Sequence, residues 1–146
     1  MYKNFYMNWK KLLILLVAFA IILAIVSVDI LKSDVNLEVH GEKIPNTDNI
    51  YIVCKICDDK GNIVDTSIGM LSSEFQYESE DENSAGSVAV LLPLKNGKSI
   101  IRENEQPCSI NIKYDGGYFY NPCEYSGKLI VKNSTNLTDD DLTPPY

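Results

Sequence analysis

The chain has 146 residues, enough for one small domain after an N-terminal apolar segment is set aside. Lys3, Lys10 and Lys11 precede that segment, and all 20 acidic residues follow it, leaving residues 29–146 at a net charge of −10. Such an acidic domain repels nucleic acid and anionic lipid, and Arg102 as the sole arginine offers no phosphate-binding cluster.

Residues 1–11 read as a short cytoplasmic segment, and Leu12 to Val28 as a transmembrane signal-anchor helix. The run LLILLVAFAIILAIVSV has only Ser27 as a polar residue and covers about 25 Å as a helix. Tyr6 and Trp9 are placed to sit at headgroup level. Lys10 and Lys11 hold the N-terminus in the cytoplasm, so the lipid bilayer is the first expected partner and the C-terminal domain lies outside the cell. The competing reading is a cleaved signal peptide and a secreted product, although no A-x-A-like site follows the run.

Residues 29–34 form a linker, after which short β-branched and aromatic runs alternate with Gly, Asn, Asp and Pro. Strands are predicted at Val35–Val39, Ile50–Ile56, near Ile63 and Val64, at Ser87–Leu94, Cys108–Tyr114 and Lys128–Lys132. Ile50, Ile52, Cys54 and Ile56 share one face, as do Cys108, Ile110, Ile112 and Tyr114. DDKGN, Asp58 to Asn62, is a turn. No later segment keeps a helical apolar period, so the expected domain is an all-β sandwich over residues 35–133. Residues 134–146, with Asp139, Asp140 and Asp141 among Thr and Pro, read as a disordered acidic tail.

The run IKYDGGYFYNPCEYSGKLIVKN, Ile112 to Asn133, resembles the last two strands of Ig-like repeats in adhesin-like surface proteins of bacteria and methanogenic archaea. IVCKICDDKGNIV, Ile52 to Val64, is similar to an early strand of the same repeats. The resemblance implies an Ig-like β-sandwich that meets an extracellular protein or glycan. Those repeats usually stand in tandem and seldom contain Cys, whereas this chain holds one copy and four Cys.

Four exported cysteines suit two disulfides in any of three pairings. The resemblance places Cys54 and Cys108 on strands bridged across many Ig sandwiches, leaving Cys57 for Cys123. Free buried thiols are one alternative, and a metal or thiol-redox centre another. CKICDDKG has zinc-knuckle CxxC spacing, but Cys108 and Cys123 do not repeat it, and no helix follows to depress a thiol pKa.

His40 is the sole histidine, and an exposed turn position is expected for it. The acidic run Glu74 to Glu82 lacks the spacing of a calcium loop and reads as solvated. Asn133 and Asn136 open N-x-[ST] sequons, candidates for glycosylation. Tyr118, Phe119, Tyr120 and Tyr125 cluster about the Gly116-Gly117 turn, either as a partner-binding loop or as a small loop core. No nucleophile-base pair, phosphate loop or complete metal motif is present, so neither an enzyme nor a cofactor is expected. A further alternative is an accessory subunit of a membrane complex, which the lack of a GxxxG stripe disfavours.

Overall fold

The computed structural model describes residues 8–66, 68–78 and 86–144. A long apolar stretch with no Gly or Pro, preceded by Lys10 and Lys11 and followed by Asp29, makes one helix, α1, Trp9–Ile30. It is longer at both ends than the predicted 12–28 span. Its 22 residues extend about 33 Å. Tyr6 and Lys3 lie outside the described residues.

Eight strands follow: β1 Asn36–Lys43, β2 Ile50–Cys57, β3 Ile68–Tyr77, β4 Gly86–Lys95, β5 Lys98–Glu103, β6 Ser109–Tyr114, β7 Cys123–Gly127 and β8 Val131–Lys132. They form a single mixed sheet, ordered β7-β6-β3-β4-β5-β2-β1-β8, that curls into a half-barrel. All pairs are antiparallel except β1 with β8. Among the described residues, the two four-strand halves are paired strand to strand at Lys95↔Lys98 alone, across the Asn96-Gly97 turn. Both turn residues have positive φ, 51° and 76°, the geometry that lets a two-residue hairpin follow strand twist.

The halves share one core. Leu37, Val39, Ile50, Ile52, Cys54 and Ile56 come from one side, and Leu71, Phe75, Leu92, Leu94, Ile110 and Ile112 from the other. The predicted inner face of β2 is therefore borne out. Its other face is buried as well. Tyr51 and Val53 pack with Ile100 beneath Ile44, Leu137 and Leu142.

For residues 134–144, that second layer corrects the reading of a disordered tail. Thr138 caps a 3₁₀ turn at Asp139–Asp141. Tyr51 donates its hydroxyl hydrogen to Asp139 at 2.9 Å. Thr143 donates its N–H to the Ile100 carbonyl at 2.9 Å and accepts the Ile100 N–H on Oγ1 at 2.8 Å. The tail thus occupies the β5 edge that β4 leaves after Lys98.

Strands β3, β5 and β7 were not predicted. Ser73 dilutes the alternation of β3; it is buried, with its hydroxyl donating to Val90 O at 2.6 Å. In β5, Ile100 and Ile101 serve opposite buried layers, which hides the period of two. The predicted closing strand Lys128–Lys132 shortens to β8, with Leu129 buried and Ile130 exposed.

Candidate interaction site

The aromatic loop between β6 and β7 is built around a tight reversal. Gly116 has φ +83°, and a Cβ there would lie 2.9 Å from the Tyr120 carbonyl and 3.0 Å from Pro122 N. Gly117 N–H closes the turn onto Tyr120 O at 3.0 Å. This geometry divides the four aromatics. Tyr120 and Tyr125 are half-buried against the core, and Tyr125 donates to Lys128 O at 2.9 Å. Tyr118 and Phe119 point away and are 85% and 75% exposed. Tyr120 and Tyr125 thus form the small loop core, and Tyr118 and Phe119 are left exposed.

The loop is held to the segment leaving α1. Ser33 N–H donates to Phe119 O at 2.8 Å, and Asn121 N–H to Ser33 O at 3.0 Å. The Asn121 amide also donates to Asp34 at 2.8 Å. These bonds make a parallel bridge between Ser33 and Tyr120. A cleft of about 410 Å³ opens beside it, lined by Asp65, Thr66, Met70, Tyr114, Tyr118 and Phe119.

The cysteines are not brought together. All four are free, which corrects the expected Cys54–Cys108 and Cys57–Cys123 bridges. Cys54 does face the core, but Cys108 precedes β6, is exposed, and donates its Sγ hydrogen to Gln76 O at 3.1 Å. The alternation of Ile110, Ile112 and Tyr114 is as predicted; the covering layer stops short of Cys108. Burial pushes the Cys54 thiol up to about 12. Burial, then the nearby Glu38 carboxylate, raises Cys57, and burial raises Cys123. Protonated thiols are poor nucleophiles and poor metal ligands. Cys54 and Cys57 lie at i and i+3 of one strand, so CxxC does not converge, and among the described residues no three His, Cys, Asp or Glu gather to hold a metal.

His40 lies inside β1, not in a turn, and is half-buried. Its Nε2 is 3.1 Å from Glu42, whose second oxygen accepts from Thr135 at 2.6 Å. The carboxylate sits between imidazole and hydroxyl, so the imidazole does not itself face the hydroxyl. Burial pushes Glu42 up, but the bonds from Thr135 and His40 outweigh it and hold the carboxyl below its ordinary value. Of the acidic run, Glu74 to Tyr77 belong to β3 and Glu74 accepts from Ser87, while residues 79–82 lie outside the described residues. Asn133 and Asn136 are both exposed. Their sequon hydroxyls are engaged, Thr135 with Glu42 and Thr138 with Asp141. The chain matches no family model, no curated protein and no solved structure.

Proposed function

We propose that this chain is a single-pass membrane protein that displays its β domain on the outer side of the membrane as a non-enzymatic interaction or structural module of the envelope. One observation carries the reading. The side chains of α1 from Leu13 to Val26 are apolar on every face and uncovered, and the domain's core is complete without them. A helix apolar all round needs either protein or lipid around it, and none of the β domain's core residues packs on it. Lys10 and Lys11 before the span orient it with the acidic domain outside. The Ig-like resemblance belongs to the same proposal, supported by two half-sheets facing one core; an outer protein or glycan is the partner class it implies.

The test is fractionation of cells expressing the full chain. The protein should remain with membranes after alkaline carbonate washing, and protease added to intact cells should remove the β domain. A mature form released into the medium and starting near Val28 would establish signal cleavage and defeat the anchor.

A further inference from the structure

We infer that Tyr118 and Phe119 form a second, aromatic contact with the bilayer, seating the β domain on the headgroup layer beside its own anchor. The inference rests on the membrane reading of α1. Helix α1 ends at Ile30, and Leu31, Lys32 and Ser33 follow. Ser33 is already bonded to both Phe119 and Asn121. Three residues span at most about 10 Å, so the loop backbone is tied to a point close above the helix end. The interfacial layer on each side of a hydrocarbon core is about 5–7 Å thick, and an aromatic side chain reaches into it from such a height. Aromatic rings with apolar bodies are the side chains that layer favours.

Two further features agree. Tyr118 and Phe119 are the most exposed aromatics of the described β domain, yet Gly116 and the Ser33 bridge hold their backbone in place. A fixed, uncovered aromatic pair next to a span gives insertion without a large ordering cost. The acidic side chains Asp34 and Asp115 flank the loop. They oppose anionic lipid, so the contact is with zwitterionic headgroups.

Trp9, the sole tryptophan, allows a direct test. Full-length protein is reconstituted in phosphatidylcholine vesicles with or without acyl-chain bromination. Native Trp9 reports the anchor. Phe119→Trp and, separately, Tyr118→Trp are placed in a Trp9→Phe background, with Asp48→Trp in the far Ile44–Asn49 turn as the control. The expected result is a blue-shifted emission that brominated lipid quenches at position 119 or 118, and no quenching at position 48. Unquenched emission at both loop positions while Trp9 is quenched overturns the contact and leaves the anchor standing. Loss of quenching at Trp9 itself overturns both. A blue shift that grows with protein density but ignores bromination assigns the loop to a second copy of the chain, and also overturns the proposal. Two loop variants guard against one of them failing to fold.

Discussion

Cys54 and Cys108 show how far a single side chain can be read. Alternation assigns each to a face of its strand, and for Cys54 that face is the core. Alternation does not say where the opposite layer ends, and Cys108 lies past it. Thiol chemistry separates the two states. In the native protein Cys108 should react first with a maleimide, while Cys54 and Cys57 should react only on unfolding, because they are buried and protonated. Added reductant should leave the melting temperature unchanged, whereas a native disulfide of this loop length would contribute about 4 kcal/mol. Mass spectrometry of unfolded, unreduced protein should count four free thiols; two or none would restore a bridge.

At the scale of elements, the turn and the tail decide the most. Gly97 has φ +76°, and a Cβ there would lie 1.9 Å from the Val64 carbonyl, backbone that cannot yield. Gly97→Ala should therefore cost about 3 kcal/mol or more, read as a lower denaturation midpoint. The Asn96-Gly97 pair is a hairpin signal that the strand reading passes over, because the adjacent isoleucines of β5 conceal the strand it leads into. The tail has the opposite character, since its sequence is that of a solvated segment. Only the second buried face of β2 gives Leu137 and Leu142 something to cover. Removing residues 138–146 should destabilise the domain by about 2–4 kcal/mol through exposure of Tyr51, Val53 and Ile100. The exposed Arg102–Asp139 pair contributes little of this, about 0.5 kcal/mol. Alkaline titration gives a second check. Burial, then the hydrogen bond and charge of Asp139, raises the Tyr51 hydroxyl above its ordinary value. A raised folded pKa favours the neutral form in the folded state, so this contribution is whole below about pH 10 and is lost as pH rises through the folded value. Full-length protein should lose stability across that alkaline window more steeply than the truncated form.

For the whole molecule, helix α1, the proposed anchor, and the β domain are separate problems in physical chemistry. Insertion depends on the summed transfer free energy of one helix and not on the sheet behind it. Ile21→Arg, in the middle of α1, should disfavour insertion by about 2.5–3.5 kcal/mol and shift protein from the membrane to the soluble fraction. The thermal transition of the β domain should stay where it is, because none of its core residues comes from α1. A parallel fall in melting temperature would mean that helix and sheet support one another.

The sequence by itself determined the apolar helix, the β character of the rest, the Asp58–Asn62 turn and the inner faces of β2 and β6. Each follows from interactions within a few residues: continuous hydropathy, alternation, or an Asp side chain bonding its own backbone, as Asp58 does to Lys60 and Asn62. Tertiary structure alone decided the strand order, the parallel docking of β8 on β1, the capture of the tail by β5 and the exposure of Tyr118 and Phe119. These depend on which distant surface covers a residue, and a repeat of two along a strand carries no information about the layer that lies across from it.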